Sequence, residues 1–166
     1  AQVCISSFFI RYSSYSAGIG EKEATNYLGY LLLCFMVGRY IGTWLMRTIP
    51  SQKLLAIYSA CNIALLAYST FVGGKGGMFA MMGVEFFMSI MFPTIFALGI
   101  KDLGAETKIG SSYMVMSIVG GAFVPLILGY IARNVNMQIA YIVPMICFFF
   151  TFYFGFSGYK PKYKAA

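Results

Sequence analysis

One carboxylate stands inside an apolar run of this 166-residue chain: Glu85, within GVEFFMSIMFPTIFALGIKDLG, Gly83 to Gly104. An ionised group at mid-bilayer costs roughly 2.5–3.5 kcal/mol on insertion scales, so an acid kept there is neutral, paired or facing water. Helical spacing puts Glu85, Ser89 and Phe92 at i, i+4 and i+7. They would then present a carboxyl, a hydroxyl and an aromatic ring on one face, which suits a small polyol better than lipid. The plainer reading makes Glu85 a structural group bonded to a neighbouring helix. Pro93, in the middle of the same run, marks either a gating bend or an ordinary membrane-helix proline whose freed carbonyl finds other partners. Arg39 and Arg47 could pair with Asp102 or Glu106 as a gate, or extend to the phosphate level, which fits Arg47 better than Arg39.

The elements that must position these residues are apolar runs. Sixty per cent hydrophobic residues, ten per cent charged residues and a positive mean hydropathy define an integral membrane protein. Spans are expected near 1–16, 24–46, 54–72, 78–100, 109–132 and 139–156, with 1–160 forming one all-α, six-helix bundle and 161–166 a basic tail. The first run has no basic leader or small-residue cleavage site and reads as the remainder of a span rather than a signal peptide. In it Gln2, Ser6, Phe9 and Ser13 form a helically spaced stripe. Gly38 and Gly42 form a G-x-x-x-G pair suited to close helix approach. Ser16 to Glu23 and the GGKGG stretch Gly73 to Gly77 read as breaks between runs, the latter flexible. Gly120, Gly121 and Pro125 suggest a kinked helix close to its neighbours.

Histidine is absent, which removes histidine-based metal sites and Ser-His or Cys-His catalysis. Cys4, Cys34, Cys61 and Cys147 lie in apolar runs without C-x-x-C spacing and read as free thiols. With no paired carboxylates within a span either, the chain is not expected to be an enzyme.

Charge sets orientation. Arg47, Lys53, Lys101, Lys108, Lys160, Lys162 and Lys164 fall in loops on one side, and Lys22, Lys75 and Arg133 in loops on the other. Seven against three puts the carboxyl terminus in the cytoplasm, so the net charge of +7 is a topology signal and needs no nucleic-acid partner. Six spans with polar stripes on only some of them read as half of a two-bundle carrier or channel.

Four stretches carry a resemblance: AQVCISSFFIRY at the start, GRYIGTWLMR (Gly38 to Arg47), FMSIMFPTIFALGIKDLG (Phe87 to Gly104) and GSSYMVMSIVGGAFVPLILGY (Gly110 to Tyr130). Together they resemble the fucose, galactose and glucose proton symporters of the major facilitator superfamily, nearest to the L-fucose permease branch. The resemblance implies the carboxyl-terminal half, helices seven to twelve, with the first residues of helix seven preceding Ala1. It implies an amino-terminal six-helix half as partner, and a cavity lined by helices one, two, four, five, seven, eight, ten and eleven. It further implies uptake of a hexose or deoxyhexose, foremost L-fucose, across an inner membrane by alternating access. The proton is the coupling ion, no prosthetic cofactor or metal is called for, and the coupling carboxylates lie in the other half.

Sugar contacts are expected from Gln2 and Ser6 on helix seven, Asn26 and Tyr30 on helix eight, Glu85, Ser89 and Phe92 on helix ten, and Ser117 on helix eleven. The family pattern has a small residue where Glu85 stands, and Gln-Tyr where Met91 and Phe92 stand, so the ring is kept and its hydroxyl lost. G-R-x-x-G-x-x-x-x-R, Gly38 to Arg47, resembles the superfamily's conserved loop motif, whose role is a cytoplasmic latch. Arg39, Arg47, Pro93 and Asp102 are the expected gating residues. The alternatives are an efflux carrier for apolar compounds and a non-transporting membrane sensor or scaffold.

Overall fold

The computed structural model describes residues 1–101 and 103–158. Asp102 and the tail 161–166 therefore lie outside the described residues. The described chain is helical throughout. In order it forms α1 (Gln2–Ala17), α2 (Glu21–Leu45), α3 (Ser51–Phe71), α4 (Gly74–Met88), α5 (Met91–Ile100), α6 (Thr107–Met116), α7 (Gly120–Asn134), α8 (Met137–Ala140) and α9 (Ile142–Tyr153). Short 3-10 turns at Gly104–Glu106 and Ser117–Val119, and a wider π turn at Phe154–Gly158, complete it. Among the described residues, five segments are long and apolar enough to cross a membrane: Glu21–Leu45, Ser51–Phe71, Gly74–Ile100, Thr107–Asn134 and Met137–Ser157. The first helix, of 16 residues, is shorter than these.

Three of the long rods are interrupted, each next to a proline. Pro93 has no N–H for the carbonyl of Ser89, and the helix breaks at Ser89 and Ile90 between α4 and α5. Pro144 stands in the same relation to Ala140, and Tyr141 separates α8 from α9. Before Pro125 the helix tightens into the 3-10 turn Ser117–Val119. The α-helical pattern expected to be disturbed there is interrupted by this 3-10 turn. The close packing expected of Gly120 is not present: a side chain built at Gly120 would meet nothing within 4 Å, and most of α6 and α7 is exposed.

Two expected breaks are helix. Glu21, Lys22 and Glu23 form the first turn of α2, where two carboxylates lie at the positive end of the helix macrodipole. The GGKGG stretch is likewise the start of α4 from Gly74 onward. Gly73 supplies the turn, with φ of 64°, and a Cβ there would collide with the amide of Gln138. The backbone N–H of Gly74 donates to Ser16 Oγ at 2.7 Å, and Gln138 Nε2 donates to the same oxygen at 3.0 Å. One end of the bundle therefore gathers the α1 terminus, the α3–α4 turn and α8. At the other end, the α2–α3 turn at Pro50 and Ser51 meets Pro93 and Lys101, and Gly155 packs on Gln52 and Ala56.

α4 is central and packs against α1, α2 and α3, while α3 also packs against α9. The core runs through Phe9, Tyr12, Leu31, Leu66, Met81 and Val84. The G-x-x-x-G pair makes the α2–α4 contact. A Cβ on Gly38 would strike the backbone carbonyl of Phe86, and one on Gly42 would lie 2.6 Å from Ile90 Cγ2. Lipid tails are as apolar as a core side chain, so such close approach, rather than loss of water, holds membrane helices together.

Gly38→Ala is expected to destabilise the protein by about 1–3 kcal/mol through overpacking against a rigid carbonyl. Gly120→Ala is expected to be neutral or slightly stabilising. Thermal unfolding in detergent compares the two, and equal midpoints would refute the close-contact role of Gly38.

Candidate functional site

The helix is interrupted at Ser89 and Ile90, between α4 and α5. Above it, Glu85 and Ser89 are buried, at 1% and 3% exposure, whereas below it Phe92 is 54% exposed. The single face expected from i, i+4, i+7 spacing is therefore divided. Ser89 spends its hydroxyl within its own helix, donating to the Phe86 carbonyl at 2.8 Å. Glu85 Oε1 accepts a 2.7 Å hydrogen bond from Ser6 Oγ across the α1–α4 interface. Part of the polar stripe on α1 thus turns inward, with Phe9 and Ser13 fully buried and Gln2 exposed at the start of the helix.

Gln2, Phe92 and Ser117 come together. They line a cleft of about 540 Å³, together with Met88, Met91 and Thr151 of α9. That volume lies within the roughly 300–1,000 Å³ of small-molecule sites, and apolar walls with a few polar groups are their usual lining. Gln2 offers an amide, Ser117 a hydroxyl that also donates to the Met114 carbonyl at 2.6 Å, and Phe92 a ring tilted by 36° to that of Phe96, with ring centres 6.4 Å apart. Ser6, Glu85 and Ser89 do not line the cleft, and Asn26 and Tyr30 lie on the exposed face of α2.

The expected gating residues divide between two recesses. Arg39, Tyr40, Thr43 and Trp44 of α2 and Arg47 of the turn after it line one of about 500 Å³. Among the described residues neither forms an ion pair with Glu106. Pro93 lines a second recess of about 490 Å³, with Lys101 and the α2–α3 turn.

Reasoning from sequence missed two features. Met88, Met91 and Thr151 carry no signal that separates lining from packing. A buried polar knot was also missed: Tyr12 Oη donates to the Ser69 carbonyl at 2.7 Å, and Ser69 Oγ donates back to Tyr12 Oη at 2.6 Å. Tyr12 also meets Tyr141 edge to face at 5.0 Å between ring centres. Two hydroxyls in two spans were the only hint of it.

No family model matches the chain. Over 157 residues it is 41% identical to the L-fucose-proton symporter of Escherichia coli (strain K12), an alignment covering 93% of this chain and 36% of that protein. Over 166 residues it is 38% identical to a putative glucose/galactose transporter of Helicobacter pylori, covering 97% of this chain and 41% of that one. A crystal structure of the major facilitator superfamily transporter FucP in the outward conformation matches with a TM-score of 0.92 at 39% identity, covering 97% of this chain and 39% of that one. The chain belongs to the major facilitator superfamily. It spans about two-fifths of the length of the curated relatives it matches. Within the superfamily fold it corresponds to the carboxyl-terminal half, as the four sequence stretches imply. The all-α, six-helix half-transporter architecture is the one observed. These superfamily relatives are transporters and not enzymes.

Cysteines placed at Phe92 and Ser117 are expected to react with a membrane-impermeant thiol reagent, and a cysteine at Glu85 to be protected. Comparable labelling at all three positions would refute the division made by the helix break.

Proposed function

We propose that the chain is the carboxyl-terminal half of a sugar:proton symporter that takes up a hexose or deoxyhexose, foremost L-fucose, by alternating access. The observation that carries this reading is the 0.92 TM-score at 39% identity to FucP, the Escherichia coli fucose:proton symporter. The cleft supports it with an amide, a hydroxyl and an aromatic ring among its lining groups. A sugar needs hydrogen bonds for its hydroxyls and a flat apolar surface for its C–H face, and these three groups supply both kinds. Gln2, Phe92 and Ser117 form the direct contacts on this wall. Ser6, Glu85 and Ser89 act from behind it, and Asn26 and Tyr30 from α2.

The other wall belongs to an amino-terminal six-helix half, which also holds the carboxylates that carry the coupled proton. No prosthetic group takes part. Arg39, Arg47, Pro93 and Asp102 form the cytoplasmic gate. The protein resides in an inner membrane with its carboxyl terminus in the cytoplasm, a reading supported by the seven-to-three division of Lys and Arg between alternate loops. The relatives named as glucose/galactose transporters keep D-galactose and D-glucose as the second sugars to test.

Two measurements on the complete transporter check this. In a lightly buffered, de-energised suspension of expressing cells, adding L-fucose should raise the external pH. No shift with L-fucose, D-galactose or D-glucose would refute proton symport of these sugars. Gln2→Ala and Phe92→Ala should each weaken sugar binding about tenfold, equivalent to about 1.4 kcal/mol. Unchanged affinity in both would refute the site.

A further inference from the structure

Asn62 stands fully buried in the middle of α3, and its amide is almost unmet. An amide side chain can donate two hydrogen bonds and accept two. Among the described residues Asn62 Nδ2 donates one, to Met91 Sδ at 3.5 Å, and Oδ1 accepts none. A thioether is a weak acceptor, so most of the cost of burying the amide is left uncompensated. Leucine fills a similar volume at no such cost. A polar group kept on these terms calls for an explanation.

Met91 supplies one, because it touches both Asn62 and the cleft: it is 3% exposed and lines the cleft with Gln2, Phe92 and Ser117. Its side chain is unbranched, with three rotatable bonds, and adapts readily to what lies beside it. Ser13, Thr70 and Tyr141 also carry buried hydroxyls without a partner among the described residues, but none is hydrogen-bonded to a residue lining the cleft. α3 contributes no lining residue of its own, and the family resemblance leaves helix nine out of the cavity. We propose that Asn62 is a specificity-determining residue covered by Met91: the thioether turns aside as the sugar enters, and the amide takes a sugar hydroxyl in its place. The sugar-transport reading supplies the identity of the ligand, and the proposal rests on it for that. A hydroxyl both donates and accepts, so it satisfies the amide better than sulfur does. A site built to bond a hydroxyl also discriminates strongly against an analogue that lacks it, since the amide then stays unpaired.

The test uses the complete transporter and has two arms. The first needs no sugar. In a Cys61→Ala background, labelling of the Asn62→Cys variant by a small membrane-impermeant thiol reagent, located by peptide mass, should quicken about tenfold when Met91→Ala is added. The Ser59→Cys variant, one turn earlier in α3 and equally buried, should not respond. No change at position 62, or an equal rise at position 59, would overturn the cover. In the second arm Asn62→Leu should weaken binding of the preferred sugar about tenfold, but binding of at least one analogue lacking a single hydroxyl by no more than about twofold. Its thermal unfolding midpoint in detergent should stay level or rise, because leucine leaves no amide buried. An amide that serves packing alone would give the reverse, a lower midpoint and unchanged affinity. That result, or equal weakening for the sugar and every such analogue, would overturn the proposal. If Asn62→Leu fails to fold, Asn62→Ala carries the same comparison of affinities. Binding by the unsubstituted transporter is measured first. If it takes none of L-fucose, D-galactose and D-glucose, the transport reading falls and the proposal with it; binding that keeps its strength and analogue preference in Asn62→Leu overturns the proposal alone.

Discussion

Inside a bilayer an apolar side chain gains little by exchanging lipid for protein, so a central helix must be held by close contact and by a few hydrogen bonds. α4 is held in this way. On one side Gly38 and Gly42 let α2 approach until the Phe86 carbonyl and the Ile90 side chain fill the space a Cβ would need. On another, Ser6 of α1 reaches Glu85, and near the end of the bundle Tyr12 and Ser69 tie α1 to α3. The interhelical hydrogen bonds contribute of order 1 kcal/mol each. Their importance lies in direction, since they orient α1 about its axis while dispersion forces alone leave helix rotation weakly specified.

The prolines shape what that frame presents. A proline in a helix removes one backbone donor, and Pro93 and Pro144 each lie three residues into the segment that follows a break. Beyond the first break Phe92 is exposed where Glu85 and Ser89 are buried, and it opens onto the cleft. α9, beyond the second break, brings Thr151 to the side of the same cleft. Segments on both sides of these breaks therefore contribute to the cleft and to the packed interior behind it.

The exposed surfaces have a common origin. α2 shows Tyr30, Tyr40 and Trp44, and α6 and α7 show Tyr113, Phe123 and Tyr130, far more aromatic surface than a water-soluble protein would leave uncovered. Lipid accommodates much of this surface. The part beside Gln2, Phe92 and Ser117 combines it with polar groups, as a wall closed by a second bundle would.

Much of the fold was legible because the signals that define it are local. Apolar runs long enough to span a membrane, glycines four residues apart and the uneven division of Lys and Arg all follow from neighbours in sequence, and they gave class, span order and a close-approach face on α2, though not its partner α4. Glu85 was legible as unusual for the same reason, since one carboxylate in an apolar run needs no tertiary knowledge to notice. Helix starts at Glu21 and Gly74 were not, because charge and glycine read as loop until the helix dipole and a side chain from α1 stabilise them. The partner of Glu85, the separation of Phe92 from Ser89, and the assembly of Gln2, Phe92 and Ser117 into one cleft were decided by tertiary structure alone. Each depends on how helices from distant parts of the chain pack against one another, which is not encoded in the spacing of residues along a single helix.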